Sequence, residues 1–209
     1  MKITKYVHSC LIIEDQGRVG VIDPGMFSVG SGFADPGVLR RLDDIIITHE
    51  HPDHLDITML RQLLARFPQA RVYGDQTTAI KLKTLGVNVI TASQPGVELF
   101  ACSHEPTEPL GATPLNVGVH YLDRLTDPGD SHHFTESKEI LALPVTAPWG
   151  TVMRAAEVAL EVKPTYILPV HDWHWNSAAR RQMYERLETF FGEHGITFIK
   201  AIDGQAIEL

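Results

Sequence analysis

The residues with the clearest capacity for chemistry lie in one short stretch, which reads D-D-I-I-I-T-H-E-H-P-D-H. Four side chains able to bind a divalent metal ion fall close together there: His49, His51, Asp53 and His54. Imidazole nitrogens and carboxylate oxygens are the usual ligands of zinc, and they also suit manganese and iron. The stretch therefore predicts a metal site.

The elements around this stretch suggest how it positions its ligands. The apolar run Ile45–Ile47 predicts a buried strand. His49 and His51 follow it two positions apart, so their side chains can point the same way, and the proline after them ends the strand. Asp53 and His54 then approach from another direction. One pair can hold one ion and the other pair a second ion, whereas the competing interpretation is a polar loop after a core strand.

The composition of the chain limits its partners. Its 209 residues suffice for one good core, so we expect a single domain over residues 1–209. Lys and Arg number 18 against 26 acidic residues, a balance that argues against nucleic-acid and membrane partners. A small-molecule substrate is expected, and the sequence leaves homo-oligomerisation open.

Two further features bear on location and redox state. After Met1 and Lys2 the chain enters a mixed strand without an apolar signal segment, and no stretch approaches the ~20 apolar residues of a membrane span. We therefore predict a cytoplasmic protein. Cys10 and Cys102 each fall in an apparent strand, and we interpret both as buried free thiols.

The first half of the chain is predicted to start with strands and continue as alternating strands and helices. Residues 1–23 have the pattern of a β-meander, and residues 24–43 that of a loop that carries Phe27 and Phe33. Between residues 57 and 90 a helix, a strand, a second helix and another strand are expected, which is typical of an α/β layer.

In the second half, several predicted strands end at polar residues. His104 follows the strand predicted over residues 97–103, and His171 follows that over residues 166–170. The stretch D-P-G-D-S at residues 127–131 has the residues of a turn. His120 lies inside a predicted strand, where packing against the sheet is the simpler interpretation. Taken alone, His104 is equally well explained as the polar start of a proline-rich loop.

The H-E-H-P-D-H stretch resembles the H-x-H-x-D-H motif of the metallo-β-lactamase-fold hydrolases. The resemblance extends over nearly the whole chain and implies an α/β fold, a four-layer αββα sandwich of two similar β-plus-α halves. It also implies two metal ions, zinc before manganese or iron. The implied ligands are His49, His51 and His104 for one ion, Asp53, His54 and His171 for the other, and Asp130 between them, with Asp127 as the alternative.

The same resemblance extends to residues outside the motif. Asp23, in the turn D-P-G, matches an aspartate that supports the metal ligands, and His8 with Ser9 resembles a step near the active site of the ascorbate-phosphate-lactonase-like branch. Residues 124–128 depart from the family pattern, because they are more polar than the strand usually found before the bridging aspartate. The remaining aromatic candidates are interpreted as pocket, surface or core residues: His132, His133, His174, Trp173 and Trp175.

These ligands imply a hydrolase. A bound metal ion lowers the pKa of water to about 7 and so provides hydroxide at neutral pH. Asp53 is the catalytic candidate, since it can orient the hydroxide and help a proton reach the leaving group. The expected substrate is a small ester, lactone, amide or phosphoester. The alternatives are a mononuclear iron dioxygenase of the same fold and a non-catalytic, metal-stabilised binding protein.

Overall fold

The structure, a computed structural model, describes residues 1–32 and 38–209 and divides them into two compact units. Unit 1 comprises Met1–Ser93 and Ile202–Leu209, and unit 2 comprises Gln94–Ala201. Phe33 of the predicted loop lies outside the described residues. The part of that loop that is described contains a short 3-10 turn, Met26–Ser28.

Unit 1 is built on a seven-stranded sheet within its described residues. Three antiparallel strands open it, and the next strands run parallel to the third. Its elements, in chain order, are β1 (Lys2–Lys5), β2 (Leu11–Asp15), β3 (Arg18–Ile22), β4 (Asp44–Ile47), α1 (Ile57–Arg66), β5 (Arg71–Gly74), α2 (Gln76–Lys83) and β6 (Val89–Ile90), with β13 (Ala206–Glu208) pairing with β1.

The sequence of unit 1 explains these elements. The isoleucine run forms β4, which lies between two parallel neighbours and is fully buried, as expected for a central parallel strand. Gln16 and Gly17 both have positive φ in the β2–β3 turn, the backbone that tight hairpins require. Asp56 caps α1 by accepting a hydrogen bond from the Met59 backbone N–H.

Unit 2 repeats this plan with a six-stranded sheet in its described residues. Three antiparallel strands again come first, and three strands parallel to the last of them follow. The elements are β7 (Val97–Ala101), β8 (Val117–Tyr121), β9 (Leu125–Asp127), β10 (Ile140–Pro144), α3 (Val152–Val162), β11 (Tyr166–Val170), α4 (Ser177–Glu193) and β12 (Thr197–Phe198).

The predicted α/β class and the two similar β-plus-α halves are confirmed, and each unit has its own apolar core. The polar residues 124–128, in contrast, include a fully buried strand, β9. It tolerates burial because the Thr126 hydroxyl bonds to the His120 ring and to the Lys138 backbone N–H. Strands β6 and β12 are short, with two residues each. The single domain stays a prediction.

Two smaller expectations can also be compared with the structure. Cys10 and Cys102 are buried and free, and burial raises the pKa of the Cys10 thiol to about 12, which makes it unreactive. Within residues 1–32 and 38–209, none of the helices combines the length and the apolar character that crossing a membrane requires.

We predict that His120 makes stability depend on pH. Its ring is buried and stacked on Phe100, and burial lowers the pKa of the ring below its usual value of 6.5, although Glu98 and Glu136 oppose the shift. The unfolded chain therefore binds a proton more readily, so this contribution to stability is complete above about pH 6.5 and is lost as the pH falls.

Urea unfolding of metal-free protein at pH 7.5 and 5.5 tests this expectation. His120→Phe should reduce the loss of stability between the two pH values, while His194→Gln, at an exposed histidine, should leave it unchanged. Equal losses in wild type and His120→Phe would contradict the assignment.

Candidate metal centre

Strand direction brings the candidate residues of each unit to one edge of its sheet. In unit 1, β1, β3 and β4 run in the same direction, and His8, Asp23 and His49 follow their carboxyl ends. In unit 2, β7, β9 and β11 share a direction, and His104, Asp130 and His171 follow them. Carboxyl ends of parallel strands are the usual location of sites in α/β sheets.

Asp23 organises the candidate ligands of unit 1. Its fully buried carboxylate accepts hydrogen bonds from the Thr48 backbone N–H at 2.8 Å and from the Thr48 hydroxyl at 2.7 Å. The His54 ring donates to it from Nδ1 at 2.6 Å. The Thr48 oxygen lies 3.1 Å from Nδ1 of His49. One carboxylate thus orients two histidines, directly and through a hydroxyl.

The turn that carries Asp53 and His54 is held against the D-P-G turn by main-chain contacts. Met26 N–H donates to the Pro52 carbonyl at 2.8 Å, and Asp56 N–H to the Pro24 carbonyl at 3.0 Å. A Cβ at Gly25 would lie 1.7 Å from the Asp53 carbonyl oxygen. The two turns therefore approach more closely than any side chain at this position allows.

His8 is part of the same cluster. It is fully buried, and its Nε2 lies 3.2 Å from Oδ2 of Asp53, with the ring edge-on to Phe27 at 5.1 Å. The ligand atoms of His8, Asp53 and His54 lie within 4.8 Å of one another, as do those of His49 and His51. Since an ionised carboxylate only accepts, Nε2–H of His8 donates to Asp53 and supports it.

In unit 2, Asp130 lies between two histidines. Its Oδ2 is 3.1 Å from Nε2 of His171 and 3.5 Å from Nε2 of His104. Asp127, the alternative for this role, instead accepts the Gly129 backbone N–H at 2.9 Å and stabilises the turn. The structure thus places Asp130 beside the two histidines and Asp127 within the turn.

The two histidines of unit 2 are oriented by main-chain carbonyls. His104 donates from Nδ1 to the Glu105 carbonyl at 2.5 Å, and His171 donates from Nδ1 to the Thr146 carbonyl at 2.7 Å. A carbonyl oxygen can only accept, so Nδ1 carries a proton in both rings, and the neutral form of each ring has its lone pair on Nε2.

This donor set suits a divalent metal ion. In His54, His104 and His171 the Nδ1 proton is bonded to an oxygen acceptor, so Nε2 is the nitrogen available to a metal ion. Supporting contacts of this kind are typical of metal-binding histidines. In the neutral His171 ring the Nε2 lone pair lies 3.1 Å from a carboxylate oxygen, an arrangement that a cation bound to both atoms would stabilise. Imidazole and carboxylate together fit zinc, manganese or iron.

Asp23 and His171 also have strained backbones. Their φ values are 48° and 59°, and that of His8 is 69°, in the left-handed region that such residues seldom adopt. Strain of this kind concentrates at functional sites, where the surrounding structure imposes it. All three residues lie at the ligand-bearing edges of their sheets.

Other residues named from the sequence have different environments. His120 bonds to Thr126 inside the sheet, as expected for a packing residue. His132 is buried and donates from Nε2 to the Pro144 carbonyl, and burial lowers the pKa of its ring. His133 and His174 are exposed, as is Trp173. Trp175 packs edge-on against Tyr184 in the core of unit 2.

Two supporting residues were not identified from the sequence. The Asn116 side-chain amide donates to the Cys102 and Pro128 carbonyls and accepts the Asp130 N–H, which ties the ends of β7 and β9 together. Trp149 donates from its indole nitrogen to Asp130. Neither residue belongs to a motif, and proximity in the fold is the only signal that identifies them.

Comparison with known proteins places these features in a family. Residues 2–171 match the model described as the beta-lactamase superfamily domain. Protein Rv0786c of Mycobacterium tuberculosis is 32% identical over 90% of this chain and 91% of its own length. A UPF0173 metal-dependent hydrolase of Pyrococcus furiosus is 22% identical over the full length of both chains.

The fold has a solved counterpart. The metallo-beta-lactamase fold protein YhfI of Bacillus subtilis superimposes with a TM-score of 0.69 at 17% identity, covering 100% of this chain and 99% of its own. At that identity the match establishes the fold, and it agrees with two helix-flanked sheets of similar topology.

We predict that Gly25→Ala disrupts the unit 1 ligands. Its backbone, with φ −87° and ψ 174°, is open to any residue, so the cost comes from the collision of the new Cβ with the Asp53 carbonyl and the His54 nitrogen. We expect a stability loss of about 1–3 kcal/mol together with weaker metal binding. Gly111→Ala is the matched control, because a Cβ there has nothing within 4 Å. Urea midpoints and zinc titration compare the two, and equal effects would contradict the prediction.

We also predict that Asp23→Asn weakens zinc binding about 10–100-fold, as the loss of a partner that orients a ligand generally does. The amide cannot accept all three hydrogen bonds from Thr48 and His54. The control is Asp43→Asn, since Asp43 precedes β4 and accepts from Val19 and Arg41 at the opposite end of that strand. Competition with a zinc indicator measures both affinities, and wild-type affinity in Asp23→Asn would overturn the assignment.

Proposed function

Because the chain belongs to the metallo-β-lactamase superfamily of metal-dependent hydrolases, we propose that it binds two divalent metal ions and hydrolyses a small molecule with an ester, lactone, amide or phosphoester bond. Within this set, a lactone or phosphoester agrees best with the resemblance to the lactonase-like branch. Zinc is the proposed metal, with manganese or iron as alternatives.

The observation that supports this proposal most strongly is the fixed tautomer of three histidines. His54, His104 and His171 each have their Nδ1 proton on an oxygen acceptor, so each presents Nε2 as a ligand. A polar loop without a metal has no need of this uniform arrangement. The proposed ligands are His49, His51 and His104 for one ion, Asp53, His54 and His171 for the second, and Asp130 for both.

Divalent ions at these residues would make water acidic enough to react at neutral pH and would polarise the substrate's carbonyl or phosphoryl oxygen. The chain's own residues handle the proton. Asp53 is the carboxylate suited to this task, because its side chain is 23% exposed, while Asp23 and Asp130 are 0% and 2% exposed. It can therefore accept a proton at a carboxylate oxygen and release it to a leaving group or to solvent.

His8 has a defined part in this proton transfer. Its Nε2–H donates to Oδ2 of Asp53, and the contact with Phe27 limits rotation of the ring. The carboxylate is therefore held in one orientation before a substrate arrives. Such preorganisation lowers the cost of reaching the reactive geometry.

We predict that His51→Ala loses most bound metal and all hydrolysis. The variant removes a proposed ligand whose ring lies 4.8 Å from that of His49, and the site then lacks a nitrogen donor. Elemental analysis of protein expressed without added metal should find about two zinc or manganese ions per wild-type chain. Hydrolysis is measured with a panel of lactones, phosphodiesters and simple esters.

His194→Ala is the matched control, because it removes an exposed histidine at the end of α4. It should retain the metal content and activity of the wild type. Full activity in His51→Ala would refute the proposal. A single iron per wild-type chain with oxygen-dependent turnover would identify the dioxygenase instead, and a full metal complement without any turnover would identify the binding protein.

A further inference from the structure

The two units differ in how they use one equivalent loop. In each unit a parallel strand follows the three antiparallel strands, and a loop then leads to a helix: β4 to α1 in unit 1 and β10 to α3 in unit 2. The loop of unit 1 contains the four clustered ligand candidates. The loop of unit 2 reads V-T-A-P-W-G-T and has neither histidine nor carboxylate.

This second loop nevertheless contacts two proposed ligands of unit 2. The Thr146 carbonyl accepts the Nδ1 proton of His171 at 2.7 Å, and the Trp149 indole N–H donates to Oδ2 of Asp130 at 3.1 Å. Val145 N–H also donates to the Val170 carbonyl at 3.0 Å, directly before His171. The loop is therefore attached to the strand that delivers one ligand and to the side chain of another.

Trp149 is in addition surrounded by imidazoles. Its ring centroid lies 5.1 Å from that of His171, 5.6 Å from that of His132 and 6.0 Å from that of His104, each at a steep angle. The indole is large and stiff, with only two rotatable side-chain bonds, so contacts on several sides define its position well. Its N–H is consequently a fixed donor.

The main chain of the loop holds this indole in place. Ala147 and Gly150 donate to each other's carbonyls at 3.3 and 3.2 Å, which closes a tight turn around Trp149. A Cβ at Gly150 would lie 3.2 Å from Cε1 of His132, so the turn packs closely on that ring. Thr151 then caps α3 by accepting the Arg154 N–H.

We propose that Trp149 is a positioning residue of the metal centre, which fixes the Asp130 carboxylate through its indole N–H while the neighbouring Thr146 carbonyl fixes His171. The inference rests on the proposed function, since it assigns Asp130 as a ligand. The indole occupies Oδ2 as a donor and so restricts rotation of the carboxylate about its Cβ–Cγ bond. Asp130 is thereby held in a single orientation.

The test is a double-mutant cycle on zinc affinity, measured by competition with an indicator in chelator-treated protein. Trp149→Phe keeps an aromatic ring but removes the donor, and it should weaken zinc binding about 10–100-fold. In the Asp130→Ala background the same substitution should change the affinity by no more than about twofold, because its partner is gone. Trp173→Phe, at an exposed tryptophan after His171, should leave zinc affinity unchanged in both backgrounds.

The melting temperature of the metal-free variants separates positioning from folding. If Trp149 has a positioning role, the melting temperature of metal-free Trp149→Phe should be close to that of metal-free Trp173→Phe. The substitution of Trp149 should also shift the visible absorption bands of the cobalt-substituted protein. Should Trp149→Phe fail to fold, Trp149→Leu replaces it in the same cycle.

The outcomes also distinguish this inference from the proposed function. Wild-type protein that binds no zinc would overturn both. Wild-type protein that binds zinc, with Trp149→Phe equal to Trp173→Phe, would overturn the inference alone. Equal weakening by Trp149→Phe with and without Asp130 would overturn it as well, because the indole would then act through the general packing of the loop.

Discussion

The tautomeric state of imidazole is the constraint on which the rest of this structure depends. A neutral ring has one proton and one lone pair, so it can bind a metal ion through Nε2 only if Nδ1 retains the proton. Oxygen acceptors meet this requirement at three positions: the Asp23 carboxylate for His54, the Glu105 carbonyl for His104 and the Thr146 carbonyl for His171. Each acceptor must itself be held by the fold.

This requirement explains features that are costly in isolation. A buried carboxylate such as Asp23 is tolerated only with hydrogen-bond partners, and Thr48 and His54 supply three. The left-handed backbones of Asp23 and His171 cost of order 1–3 kcal/mol each. Strands β3 and β11, which end immediately before these residues, are firmly paired within their sheets and can impose such conformations. The stability of the sheets thus maintains the geometry of the site.

The sequence was sufficient to predict what is encoded locally. The isoleucine run before His49 indicated a buried strand, and the residue types and spacing of the motif indicated metal ligands. It was insufficient where polar residues are satisfied by distant partners. Leu125–Asp127 forms a buried strand although the residues around it are polar, because Thr126 bonds to His120 and Lys138. Asn116 and Trp149 support Asp130 from positions 14 and 19 residues away, which no local pattern reveals.

The two units show why the candidate residues of one unit are conspicuous in sequence and those of the other are not. In unit 1 a single loop after β4 provides the ligand candidates, so they appear as a compact motif. In unit 2 the candidates come from the ends of three strands, and the loop after β10, which has neither histidine nor carboxylate, contacts two of them, Asp130 and His171. The contact with His171 uses the main-chain carbonyl of Thr146, which a residue of any type at that position would provide, so it leaves no mark in the sequence. The chemistry of unit 2 is therefore specified mainly by strand topology, which a sequence expresses only through the whole fold.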